Sequence, residues 1–130
     1  IRGSVDRLEV EADGSLFIID FKTGGAAISL KEAKENLQLA SYQVGIAEGG
    51  FTQGNVSAGA ELVYLGTSTA GATLRPQHVI DVEATKEKLN EIAEGMGAAH
   101  FFATVNKRCK GCPVRKSCPV QNDGRTVIEK

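Results

Sequence analysis

The chain has 130 residues and balances 15 Lys and Arg against 16 Asp and Glu, for a net charge of -1. That length supports one hydrophobic core and is too short for two independent domains. Near-neutral charge excludes broad electrostatic coating of nucleic acid, which takes clustered Lys and Arg. It leaves room for an enzyme that meets a single phosphate, because a bound metal and a few local cations can neutralise that charge. No apolar run approaches the ~18 residues of a membrane span and no signal-peptide pattern is present, so a cytoplasmic setting is expected. The sequence opens at Ile1 in what reads as a strand, and its only methionine is Met96. It is therefore expected to be a piece of a longer polypeptide.

The runs Ser4 to Glu11 and Ser15 to Lys22 are rich in Val, Ile, Leu and Phe and flank Asp13-Gly14. They predict two antiparallel strands joined by a tight turn. A two-residue loop would set Asp6 opposite Phe21 and place Asp6 and Asp20 on opposite faces. A three-residue loop, Ala12-Asp13-Gly14 with Gly14 left-handed, sets Asp6 opposite Asp20 and Ser4 opposite Lys22. A one-residue slip flips every side chain, so the hydrophobic pattern selects the register. In the three-residue case one face carries Leu8, Val10, Leu16 and Ile18 and then Asp6, Asp20 and Lys22. The other mixes Arg7, Glu9 and Glu11 with Phe17, Ile19 and Phe21 and is only partly buried. The three-residue loop is the predicted one. Two acids facing each other repel unless a cation lies between them. They can hold a divalent metal, and an adjacent lysine can orient a water or stabilise charge at a phosphate, which is the minimum equipment for metal-dependent phosphodiester cleavage.

Further along, Ser29-Leu30-Lys31-Glu32 has the form of a capping box. Ala33, Leu37, Ala40, Val44 and Ala47 follow at helical spacing and predict one helix over about residues 30–48. Gln38 and Tyr42 stand four residues apart beside that stripe. Residues 61–66 read as a central strand, Thr67 to Thr73 as a turn, and residues 78–82 as another short strand. A second helix is expected from about Ala84 to Gly97, with Leu89, Ile92, Ala93 and Met96 facing inward. His78 and His100 read as ordinary structural histidines, and Gly24-Gly25 as a turn that matches no phosphate-loop pattern.

The last thirty residues lose periodicity and hold all three cysteines, as Cys109-x2-Cys112-x5-Cys118-Pro119. This spacing suggests metal ligation rather than disulfides. A zinc or iron–sulfur site usually takes four ligands, so the fourth lies outside the chain or is a histidine, with His100 the nearest. Lys107, Arg108, Lys110, Arg115 and Lys116 surround the cysteines, where they would offset thiolate charge and could touch a nucleic-acid backbone. The division expected is a core over residues 1–100 and a cysteine-containing segment over 101–130.

The sequence Gly3-Ser4-Val5-Asp6-Arg7, then Ile18-Ile19-Asp20-Phe21-Lys22-Thr23-Gly24, then Gln38-x3-Tyr42 resembles the RecB-like branch of the PD-(D/E)xK nucleases. The cysteine tail narrows the resemblance to the iron–sulfur helicase–nuclease class typified by AddB and AdnB. The resemblance implies an α/β restriction-endonuclease-like mixed sheet flanked by helices. It implies a metal-dependent DNA exonuclease acting in double-strand break repair and recombination, with single-stranded DNA ends as substrate. By it, Asp6 and Asp20 hold Mg2+ or Mn2+ with the Phe21 carbonyl, Lys22 positions or activates the attacking water, and Gln38 and Tyr42 face the site from the helix. Cys109, Cys112 and Cys118 match three of four ligands to a [4Fe-4S] cluster. Arg7 follows the pattern without a settled role.

The same resemblance implies a helicase motor domain in the same polypeptide and a partner helicase–nuclease subunit, since no Walker motif is present here. It also expects a histidine metal ligand on a helix before the first strand and a first cluster cysteine further upstream. Neither lies in this sequence, so these 130 residues alone are expected to show little nuclease activity and no intact cluster. Two rivals share most of these features: a stand-alone CRISPR-type exonuclease, and a nuclease-like fold kept only to bind DNA or a partner.

Overall fold

The computed structural model describes residues 3–67, 71–99 and 102–121. It divides into two compact units, residues 1–91 and 92–130. Within the first unit, a sheet of order β1-β2-β3-β4 is built from Arg7–Val10, Leu16–Lys22, Ser57–Tyr64 and Thr73–Gln77. The chain pairs β1 with β2 and β3 with β4 antiparallel, and β2 with β3 parallel. The parallel pair needs a crossover, supplied by α1 (Leu30–Lys34) and α2 (Leu37–Ala47). This is a mixed α/β sheet with flanking helices, the restriction-endonuclease-like architecture expected.

The hairpin register is the one the hydrophobic pattern selects. Arg7 pairs with Ile19 and Val10 with Leu16, so one step further sets Asp6 across from Asp20. The Glu11 amide donates to the Ser15 carbonyl at 2.8 Å and the Gly14 amide to the Glu11 carbonyl at 2.9 Å. Gly14 takes φ +84°, the left-handed turn position that glycine fills without a Cβ clash. Asp13 secures the turn by accepting from the Ser15 amide and hydroxyl. Those bonds, the hydroxyl's first, lower the Asp13 pKa below its ordinary value.

The helix-facing side of the sheet carries Leu16, Ile18, Ala60, Leu62 and Tyr64, which close on Leu39 and Ile46 of α2 with Leu8 at the margin. Val10 was expected on the apolar end of this face but is 56% exposed, because β1 is the short edge strand. The parallel β2–β3 ladder contains a bulge: Leu16 pairs with Ser57 and Phe17 with Gly59. Gly59 adopts φ +116°, and a Cβ there would lie 2.8 Å from the Gln77 carbonyl oxygen. Only glycine fits that approach.

Three sequence expectations need correcting. The single helix over residues 30–48 is two, broken at Glu35-Asn36. Ser29 begins α1 with the expected capping box, but Asn36 adopts extended φ/ψ and caps α2 by accepting from the Leu39 amide at 3.0 Å. Helical spacing runs straight through this break because both halves bury the same side. The short strand expected over 78–82 is instead β4 at Thr73–Gln77, and residues 78–81 are irregular. The motif Thr73-Leu74-Arg75-Pro76-Gln77 contains a proline, which lowers its strand signal, yet an edge strand tolerates one. Finally α3 (Val82–Gly97) forms where a helix was predicted but buries none of its residues, with Ile92 and Met96 42% and 62% exposed.

In the second unit the segment before Pro119 forms two 3-10 turns, Lys107–Gly111 and Arg115–Ser117. Asn106 caps the first by accepting from the Arg108 amide at 2.9 Å, and its own amide donates to Cys109 Sγ at 3.2 Å. His100 lies outside the described residues. No helix is long and apolar enough to cross a membrane among the described residues.

Candidate active site

The carboxyl end of β2 and the first turns of α2 meet over the edge of the core. Asp20 is 3% exposed although it is an acid, because alternation along β2 aims it at the helix-facing side just beyond Ile18. A buried carboxylate must be compensated, and three neighbours share that task. Gln38 Nε2 donates to Asp20 Oδ1 at 2.9 Å and the Tyr42 hydroxyl donates to the same oxygen at 3.1 Å. Lys22 Nζ stands 2.7 Å from Oδ2 as an ion pair.

Gln38 closes the group into a ring. Its Nε2 also donates to the Tyr42 oxygen at 2.8 Å, and its Oε1 accepts from Lys22 Nζ at 3.0 Å. The four residues predicted from i, i+2 spacing on a strand and i, i+4 spacing on a helix are thus one hydrogen-bonded unit. The contact with Asp20 raises the Lys22 pKa above its ordinary value, against the opposing effect of partial burial. Desolvation raises that of Tyr42. Lys22 is therefore a cation and Tyr42 a neutral phenol across the neutral pH range. In this state Lys22 is suited to charge stabilisation and orientation, not to taking a proton.

Asp6 completes the approach from β1. Its Oδ2 accepts from the Phe21 amide at 2.8 Å, which fixes the carboxylate beside the Asp20-Phe21-Lys22 step. The Phe21 side chain points to the other sheet face and is 40% exposed, so only its backbone belongs to the site. Arg7 points away and pairs with Glu9 at 2.6 Å on the surface.

Whether these groups suit a divalent cation turns on how their oxygens are held. Asp20 Oδ2 is removed from solvent and meets the Lys22 ammonium at 2.7 Å as an ion pair, with no further hydrogen-bond donor on it among the described residues. Asp6 and Asp20 offer hard oxygen donors only, the set that Mg2+ and Mn2+ prefer. A buried carboxylate oxygen held by a positive charge, with no donor other than Lys22 on it among the described residues, fits such an ion. The fit is partial: no three acid, histidine or cysteine side chains gather closely enough to hold a metal among the described residues. Cys109, Cys112 and Cys118 are half-buried free thiols that do not converge into a three-ligand group.

Two further residues shape the site without having been predicted. Tyr64 of β3 pairs across the ladder with Lys22, is 6% exposed, and its hydroxyl accepts a long 3.5 Å bond from the Ile28 amide. Gln77 ends β4 beneath the break between the helices. Finding Tyr64 required the parallel β2–β3 register, and finding Gln77 required a contact some forty residues away. Neither has a local sequence signal.

A mixed sheet presenting Asp6, Asp20 and Lys22 at one end, with helical residues closing over them, has the architecture of an α/β nuclease. The chain belongs to the PD-(D/E)XK nuclease superfamily, whose sequence model matches residues 1–119. Asp20-Phe21-Lys22 reads as the D-x-K part of that signature. Comparison with curated proteins found no match.

Proposed function

We propose that this chain is the nuclease domain of an ATP-dependent DNA helicase–nuclease that hydrolyses phosphodiester bonds in DNA with Mg2+ or Mn2+. The superfamily carries the nuclease assignment. The observation that best supports a working site is the burial of Asp20 Oδ2 against the Lys22 ammonium at 2.7 Å. A fold kept only as a scaffold has no need to bury an ion pair here, since apolar packing would replace it at little or no cost in stability.

In this reading Asp6 and Asp20, with the Phe21 carbonyl, would hold the cation. The cation supplies Lewis-acid activation of the phosphodiester and neutralises its charge. The protein's own share is orientation and electrostatics. The Phe21 amide fixes Asp6, and Gln38 and Tyr42 fix the Asp20 carboxylate through Oδ1, which leaves Oδ2 to the Lys22 ammonium. Lys22 presents a permanent positive charge where negative charge develops at phosphorus. Gln38 holds Lys22 in place while bonded to Asp20, so carboxylate and ammonium move as one.

The finer assignment rests on the motif resemblance: single-stranded DNA ends as substrate, repair and recombination as setting, a motor domain and partner subunit, and a cytoplasmic location. So does the [4Fe-4S] cluster, because the three thiols do not converge here. The decisive experiment is cleavage of end-labelled DNA by the intact protein with Mg2+ or Mn2+, compared with Asp20→Ala. Loss of cleavage with DNA binding kept supports the enzyme, and unchanged cleavage removes it. For the cluster, anaerobic iron–sulfur reconstitution of the intact protein is followed by visible absorbance. Equal absorbance after Cys109→Ser, Cys112→Ser and Cys118→Ser combined rejects these ligands.

A further inference from the structure

We propose that Gln77 is a positioning residue of the active site, setting the angle at which α2 delivers Gln38 and Tyr42 to Asp20. The inference rests on the reading of those residues as the site. Gln77 is 3% exposed and its Nε2 faces three carbonyl oxygens, of Ala33 at 3.1 Å, Lys34 at 3.1 Å and Asn36 at 3.0 Å. Lys34 closes α1, while the Ala33 and Asn36 carbonyls also accept from the Asn36 and Ala40 amides at 3.1 Å each, so the two amide hydrogens of Gln77 are shared among all three across the break. The Gln77 Oε1 accepts from Gln43 Nε2 at 3.1 Å. Gln43, which is fully buried, also donates to the His78 carbonyl at 3.1 Å and accepts from the Ser57 hydroxyl at 2.9 Å.

The geometry of that network gives it its meaning. One β4 side chain grips the chain at Asn36, immediately before α2, and again at Gln43, more than one turn inside it. Gln38 and Tyr42 lie between the two grips. Asn36 is held extended, which lets it cap α2 and fixes where the helix starts. Gln38 follows two residues later, so a small rotation of the elbow swings its amide away from Asp20 and Lys22. A core concerned only with stability would fill this space with Leu or Met, since buried amides gain little over apolar packing. A fully satisfied polar network instead selects one arrangement among several of similar packing.

The test is a double-mutant cycle on DNA cleavage by the intact protein, using Gln77→Met, Gln38→Ala and the pair. Gln77→Met keeps volume and removes the donors and acceptor. It should lower kcat between about tenfold and a hundredfold, as expected of a misplaced site group, with KM for DNA changed less than about twofold. In the Gln38→Ala background the same change should cost clearly less than in the parent, because one of the two residues it acts through is gone. Fully multiplicative losses would show a merely structural role and overturn the proposal, as would an unaltered kcat in Gln77→Met.

A second readout does not depend on cleavage. In Gln77→Met the Gln38 side-chain amide resonances should shift and the Leu39 amide should exchange faster with solvent. Unmoved resonances in a folded variant overturn the proposal. Should Gln77→Met fail to fold, Gln43→Met cuts one arm of the network and is read against the same expectations. If Asp20→Ala and Gln38→Ala leave cleavage intact, the failure belongs to the reading of the site, and the resonances alone decide whether Gln77 positions α2.

Discussion

Replacing Lys22 with methionine separates two roles that the ring combines. Methionine keeps the length and apolar stem of lysine and deletes only the charge. Asp20 then keeps its two bonds at Oδ1 from Gln38 and Tyr42 but loses the ion pair at Oδ2, an oxygen out of contact with solvent. Breaking a fully buried ion pair costs about 3–5 kcal/mol. The side chain of Lys22 is 33% exposed against 5% for Asp20, so its ammonium is partly hydrated and the pair is worth less than that limit. A loss of about 2 kcal/mol is expected, or a fall in Tm of roughly 8 °C for a domain of this size. A divalent cation should supply the missing charge. Thermal scans with and without Mn2+ should therefore show a larger metal-induced rise in Lys22→Met than in the parent, since no ammonium must be displaced. At a cation concentration about a hundred times Kd, mass action contributes about 2.7 kcal/mol. Cleavage should nonetheless be lost. A variant as stable as the parent and indifferent to Mn2+ would refute the claim that Asp20 Oδ2 is poised for a cation.

Three further outcomes are expected. Gln38→Ala should remove an acceptor from Lys22 and a donor from Asp20 and Tyr42, lowering stability by about 1–2 kcal/mol in chemical denaturation and cutting cleavage more than tenfold. Glu61 has its pKa raised above 4.5, first by burial in the sheet and then by Glu9. Its ionisation thus costs stability as pH rises through its ordinary value to the raised one, so Glu61→Gln should be more stable than the parent near about pH 7, by less than about 1 kcal/mol because the residue is half-exposed, and indistinguishable near about pH 4. A gain confined to acid pH would contradict this. Gly59→Ala places a Cβ 2.8 Å from the Gln77 carbonyl at φ +116° and should cost more than about 2 kcal/mol.

How much of this was legible in the sequence depends on how local each signal was. The hairpin register followed from alternation and one glycine: Leu8, Leu16 and Ile18 reach the core in only one of the two registers, and Gly14 takes the positive φ the three-residue loop needs. That register brings Asp6 to the Asp20-Phe21-Lys22 step, so the grouping of these candidate residues follows from local sequence. The break between α1 and α2 could not be read this way, because apolar spacing is continuous across it and Gln77, which bonds the carbonyls on both sides of it, sits on a strand formed much later in the chain. Asn36 was the one local hint, a good N-cap residue in the interior of a predicted helix. The edge strand was missed because a proline lay inside it. The inward face predicted for α3 failed because periodicity shows that a helix is amphipathic, not what it packs against.

Metal-dependent cleavage at this site requires the two carboxylates, Asp6 and Asp20, to act together on a cation. Mn2+ binding to this chain, followed by electron paramagnetic resonance of the free ion during titration, measures that directly. The expected result is binding that is lost in both Asp6→Ala and Asp20→Ala and kept in Arg7→Ala, whose side chain turns away toward Glu9. Binding that survives removal of either carboxylate would place the cation elsewhere and contradict the account.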